Sequence, residues 1–84
     1  MIHYLIICRS LTYAQRTAKV LERAGITAIV MRPPMEIFDE GCTYCVKVSE
    51  KRISSALIAL NNANMSRGRI FMLRDDGSSS EVSL

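Results

Sequence analysis

The chain lacks most of the residues from which common active sites are built. Its 84 residues contain no tryptophan, two prolines, four glycines and one histidine, His3. No Ser-His-Asp set, phosphate-binding glycine loop or pair of acid–base carboxylates can be assembled from the sequence. The three cysteines are an odd number, which argues against the disulfide framework of a small secreted domain. We therefore expect free thiols in a cytoplasmic protein.

Long apolar runs and runs of basic residues are also missing. The apolar start, residues 1–8, is too short to span a membrane and lacks the features of a signal peptide, so we expect no membrane association. The net charge of +3 comes from scattered lysines and arginines, which disfavours nucleic-acid binding. RNA binding on a sheet would need surface aromatics, and the third predicted strand offers only Tyr44, on the core face.

A metal site is not expected either. A zinc site needs about four ligands. Besides Cys42 and Cys45 the chain offers only Cys8, His3 and scattered acids. The sequence therefore predicts neither a metal nor an organic cofactor.

What is present is typical of a small folded domain, because 49% of the residues are hydrophobic and 23% are charged. The predicted elements are a strand at 4–9, a helix at 11–24, a strand at 27–31, a strand at 42–48, a second helix capped by Ser49, and a strand at 69–73. Ser10 is a helix N-cap candidate, and Gly25 is suited to ending that helix.

The order β-α-β-β-α-β predicts an α+β, ferredoxin-like fold, in which two helices cover one face of a four-stranded antiparallel sheet. We place this single domain at 1–75 and assign 76–84 to a turn and tail, with a short edge strand as an option. The first and fourth strands are apolar on both faces, so the open sheet face needs a cover. A homodimer through that face is the expectation.

Cys42 is the strongest candidate for a reactive group. It follows Gly41 where an irregular loop meets the third strand. If that strand lies antiparallel beside the first, Cys42 comes close to Arg9 and to the helix start at Ser10, with Arg32 as a further neighbour. Helix N–H groups and arginine charge favour a thiolate, which is the nucleophilic form. From the residues alone, a purely structural Cys42 remains an equal alternative.

The other two thiols are weaker candidates. Cys42 and Cys45 form a Cys-x-x-Cys, but this pair opens a strand, where residues three apart point to opposite faces. We interpret Cys45 as a small apolar strand residue, with a redox pair as the alternative. Cys8, at the end of the first strand, is either a resolving thiol or a buried structural residue. His3 lies at the far end of that strand, which disfavours a Cys-His pair with Cys42.

Several segments together resemble a known family of small bacterial domains, the selenium/sulfur carrier protein-like family. They are 4–7, 10–14, 21–26, 34–37 and 41–42, and the resemblance extends over roughly 4–73. It maps the family's characteristic cysteine onto Cys42 and its proline-containing segment onto 34–37. Met35 stands where an arginine is common, and Thr43 where a glycine is common.

The resemblance implies a thiol-based carrier rather than a turnover enzyme. Cys42 would accept sulfur or selenium from a donor protein, hold it as a persulfide or selenosulfide, and pass it to an acceptor protein. The alternative is a non-enzymatic dimerisation or small-ligand-binding module, for which Cys42 would be dispensable.

Overall fold

A computed structural model describes residues 1–34, 43–65 and 68–84. These residues form two α-helices and five strands. In chain order they are β1 (His3–Cys8), α1 (Leu11–Arg23), β2 (Ile29–Met31), β3 (Tyr44–Ser49), α2 (Ile53–Asn62), β4 (Ile70–Leu73) and β5 (Ser79–Val82), with a 3-10 turn, Glu50–Arg52, between β3 and α2.

The five strands form one antiparallel sheet in the order β2-β3-β1-β4-β5. The α+β class is confirmed, and the order of the first four strands is compatible with a ferredoxin-like fold. The expected count of four strands is wrong, because β5 adds a fifth strand within 76–84, the segment assigned to a turn and tail with a short edge strand as an option. Gly77 takes a φ of +88° in the turn, and the Arg74 N–H donates to Ser78 O at 2.9 Å, which returns the chain alongside β4.

Helix α1 begins and ends where its local signals predict. Ser10 Oγ accepts a hydrogen bond from the Tyr13 N–H at 3.1 Å, which satisfies one of the backbone donors that a helix start leaves unpaired. Gly25, two residues after the helix, takes a φ of +81°, a conformation that costs glycine little.

The predicted cap of the second helix is wrong. Ser49 is the last residue of β3, paired with His3, and it makes no side-chain cap hydrogen bond. Pairing with β1 holds the backbone extended through Ser49, and the Glu50 N–H donates to Ile2 O at 3.1 Å. Helix α2 therefore begins only at Ile53, after the 3-10 turn.

Both faces of the sheet carry apolar side chains. On one face, both helices pack against alternate residues of the central strands, such as Ile6 and Val46. The opposite face carries a second cluster, formed by Leu5, Ile7, Cys45 and Phe71. Leu5 and Cys45 are fully buried within one chain, so the centre of this face does not require a second copy to exclude water. The expected homodimer remains a prediction.

The C-terminal part of the chain approaches β1 closely at one glycine. A Cβ at Gly68 would overlap the carbonyl oxygen of Ile7, and the next residue, Arg69, accepts a hydrogen bond from the Ile7 N–H at 2.9 Å. A residue without a side chain is therefore required at Gly68.

Candidate functional site

The end of β1, the start of α1 and the start of β3 meet at one end of the sheet. Cys8, the last residue of β1, is paired with Tyr44, the first residue of β3. On the other side of β3, Met31 is paired with Cys45, which brings Arg32 level with Tyr44. We call this end of the sheet, with Arg9 and Ser10 of the following turn, the β1–α1 edge. The predicted approach of strand three to the end of strand one is confirmed.

Two arginines at the β1–α1 edge lie over tyrosine rings. The guanidinium carbon of Arg9 is 4.8 Å from the centre of the Tyr13 ring, and that of Arg32 is 5.0 Å from the centre of the Tyr44 ring. Both rings pack against the cluster beneath the helices. Cation–π contacts of this length restrict a guanidinium without neutralising its charge.

The start of α1 adds to the positive potential of this edge. The first turn of α1 contains no acidic residue. Ser10 occupies one N–H of that turn, while the helix dipole leaves partial positive charge at its N-terminus. Arg9, Arg32 and the helix start together favour an anion in their neighbourhood.

Cys8 lies at this edge but is turned into the protein. Its side chain is 3% exposed, its Sγ donates to Ile6 O at 3.6 Å, and Thr17 Oγ1 lies 3.9 Å from Sγ. Burial raises the pKa of the Cys8 thiol, and the hydrogen bond with Thr17 offsets part of that rise. Cys8 is therefore a neutral thiol at physiological pH.

Cys45 lies on the opposite sheet face, in the cluster with Leu5 and Phe71. It is fully buried. Burial, with a smaller contribution from the nearby Cys8 thiol, raises the pKa of Cys45 to about 12, despite the opposing effect of Lys47. A thiol in this state is a poor nucleophile and a poor metal ligand, because both roles require the thiolate.

The site predicted from the sequence falls partly outside the described residues. Gly41 and Cys42 both lie in 35–42, outside the part of the chain that the structure describes. The structure brings Arg9, Ser10 and Arg32 to one edge, while Cys45 lies on the other face of the sheet. The roles assigned to these residues remain predictions.

The rings of Tyr13 and Tyr44 were not predicted as site residues. Arg9 and Tyr13 are four residues apart, which indicates contact when both residues belong to one helix. Arg9 precedes α1, so this spacing did not predict the contact. The contact between Arg32 and Tyr44 depends on strand register, which a single sequence does not specify.

Within the described residues, no group of three or more histidine, cysteine, aspartate or glutamate side chains is arranged to hold a metal ion. No helix among those residues has the length and apolar character needed to cross a membrane.

Comparison with known proteins identifies the family. The family model described as "Putative Se/S carrier protein-like" matches residues 3–71. The chain belongs to this family. No curated protein and no solved structure matches the chain. The match confirms the resemblance of the sequence to the Se/S carrier-like family, and it ends within β4, so that β5 lies beyond the matched region.

Proposed function

We propose that this member of the Se/S carrier-like family is a thiol-based carrier, in which Cys42 holds sulfur as a persulfide or selenium as a selenosulfide. One observation carries the choice of cysteine. Cys8 and Cys45 are both buried, and burial raises the pKa of each. Cys42 is the third and last thiol of the chain.

The charge at the β1–α1 edge supports the proposal. Cys42 precedes Tyr44 by two residues in the sequence, and Tyr44 is paired with Cys8 at the end of β1. Arg9, Arg32 and the start of α1 favour negative charge there. Both the thiolate that accepts sulfur and the persulfide anion that carries it are negatively charged.

The proposed loading step needs no external oxidant or reductant. The Cys42 thiolate attacks the terminal sulfur of a donor persulfide, R–S–SH. A new S–S bond forms to Cys42 as the donor's S–S bond breaks, and the donor leaves as the thiolate R–S⁻. Unloading is the same exchange with an acceptor thiolate, and a selenium atom at the same oxidation level follows the same scheme.

This chemistry implies two protein partners, one donor and one acceptor, and a carrier rather than a turnover enzyme. Free thiols persist in reducing compartments, so we place the protein in the cytoplasm. No organic cofactor enters the scheme, because the cysteine is itself the reactive group.

Mass spectrometry after incubation with a small-molecule persulfide tests the proposal. The wild type and a Cys8→Ala/Cys45→Val variant should each gain one sulfur atom, located at Cys42 by peptide mapping. A Cys42→Ser variant should gain none. A selenium-containing donor in a parallel reaction shows which element is accepted. Sulfur found only on Cys8 or Cys45, or an undiminished gain in Cys42→Ser, would contradict the proposal.

The second candidate function is a small-ligand-binding module, which predicts that Cys42→Ser retains full function. One structural feature favours it. A polar cavity with an excess of positive charge lies at the other end of the sheet, lined by residues that the carrier chemistry does not use.

A further inference from the structure

A cavity of about 240 Å³ opens at the end of the sheet opposite the β1–α1 edge. His3 and Cys8, at the two ends of β1, are five residue steps apart, a distance of about 17 Å at strand spacing. The cavity is lined mainly by His3, Thr27, Ile29, Lys47, Ser49 and Arg52. It is therefore distinct from the β1–α1 edge.

Strand pairing brings these residues together. His3 is paired with Ser49 across β1 and β3, and Ile29 is paired with Lys47 across β2 and β3. Lys47 and Ser49 are two residues apart, so they extend from the same sheet face. Thr27 precedes Ile29 by two residues on the approach to β2. Three neighbouring chain segments thus place two hydroxyls, an imidazole and an ammonium around one space.

The charge lining the cavity is unbalanced. Two basic residues, Lys47 and Arg52, line the cavity, and no acidic residue among the described residues does so. Glu50, the acid between them in sequence, is exposed and is not among the lining residues.

The polar groups around the cavity retain unused hydrogen-bonding capacity. Arg52 donates one hydrogen bond, at 3.4 Å, to Gly25 O, while a guanidinium has five N–H donors. Within the described residues, Lys47 makes no ion pair or hydrogen bond through its ammonium group. The Ser49 hydroxyl does not cap the turn that follows it.

We infer that this cavity binds a small tetrahedral oxyanion of the phosphate or sulfate class. A guanidinium matches such an anion through paired N–H donors, an ammonium contributes a point charge, and hydroxyls complete the set of donors. The volume is below the range of about 300–1,000 Å³ that is usual for pockets holding drug-sized ligands. The ligand is thus either a free ion or the terminal phosphate group of a larger molecule.

Titration with inorganic phosphate at constant ionic strength, followed by amide NMR shifts, tests the inference. Saturable shifts should cluster at His3, Thr27 and Ser49 and be larger there than at Arg9 and Ser10. Phenyl phosphate in a second titration separates the two ligand sources. If the site takes terminal phosphate groups it saturates with both compounds, and if it takes only free ions it saturates with inorganic phosphate alone.

Three charge-matched variants complete the test. Lys47→Gln and Arg52→Gln should each weaken phosphate binding roughly tenfold, since each removes a charge-assisted hydrogen bond. Lys51→Gln removes the same charge from an exposed residue that does not line the cavity, and it should change binding by less than about twofold. Circular dichroism checks that each variant is folded.

Equal weakening by all three variants would show general charge attraction and would overturn the inference. Shifts centred on Arg9, or the absence of saturation with the wild type, would do the same. None of these measurements involves Cys42, so their outcome is independent of sulfur transfer.

Discussion

The burial of Cys45 predicts a large difference in its alkylation rate between the native and the unfolded chain. Its pKa rises from an ordinary 9.0 to about 12. At pH 8 the ionised fraction therefore falls from about one in ten to about one in ten thousand, a factor of about 1,000. The thiolate that does form in the native protein has the higher pKa and is therefore about 20-fold more nucleophilic, for a Brønsted coefficient near 0.45. The alkylation rate of Cys45 should thus be about 50-fold lower in the native than in the unfolded chain.

Steric protection adds to this factor, because Cys45 has no exposed surface. The assay is a timed reaction with iodoacetamide at pH 8, followed by peptide mass spectrometry, in buffer and in guanidinium chloride. Cys45 should react at least about 50-fold more slowly in the native protein. Cys8, whose pKa is also raised by burial, should be slowed in the same direction.

The denatured sample is the internal control, because all three thiols should react there at similar rates. The carrier proposal adds that Cys42 retains rapid labelling in the native protein. A native Cys45 rate within about fivefold of its denatured rate would refute the assignment of Cys45 as a buried neutral thiol. It would also restore Cys45 as a candidate partner for Cys42 in a redox pair.

Two further predictions concern stability. Gly68→Ala should destabilise the fold by about 2–4 kcal/mol, because the new Cβ overlaps Ile7 O and strains the adjacent hydrogen bond. In the control variant Gly77→Ala the new Cβ contacts nothing, so only the strain of a positive φ should lower stability, by about 1–2 kcal/mol. Equal decreases in Tm for the two variants would contradict the overlap at Gly68. Because of the raised pKa of Cys45, the free energy of unfolding of the wild type should fall by about 2 kcal/mol between pH 8 and 10.5. The unfolded thiol ionises above pH 9, while the folded one stays neutral up to about pH 12. Denaturant titrations of Cys45→Val should lack that part of the loss, and an unchanged pH dependence would contradict the assignment.

Elements marked by local chemistry could be predicted from the sequence. Helix α1 follows directly from a hydroxyl at Ser10 and a glycine at Gly25, since capping and left-handed backbone depend on a few adjacent residues. The alternation along β1 and β4 likewise predicted which side chains share a face. The prediction of Ser49 as a helix cap was wrong, because a hydroxyl is compatible with a cap but does not show whether a strand continues through the same residue.

Features that depend on pairing between distant residues could not be predicted. Even the local β5 was only an option in the sequence, because its polar residues lack an apolar pattern and become a strand only by pairing with β4 across the turn at Gly77. The stacking of Arg32 on Tyr44 depends on the register of β2 against β3. The burial of the second sheet face within one chain also could not be read from alternation, which shows where side chains point but not what covers them.

The central position of β1 has a consequence for synthesis on the ribosome. β1 is made before both of its neighbours in the sheet, β3 and β4. His3 meets partners 46 and 70 residues later, Ser49 and Leu73. At translation rates of about 5–20 residues per second, its second neighbour emerges about 4–14 s after β1 itself. Throughout that interval the apolar segment 5–7 has no completed sheet to enter. The nascent chain must therefore keep this apolar segment from other partners until β4 has been translated.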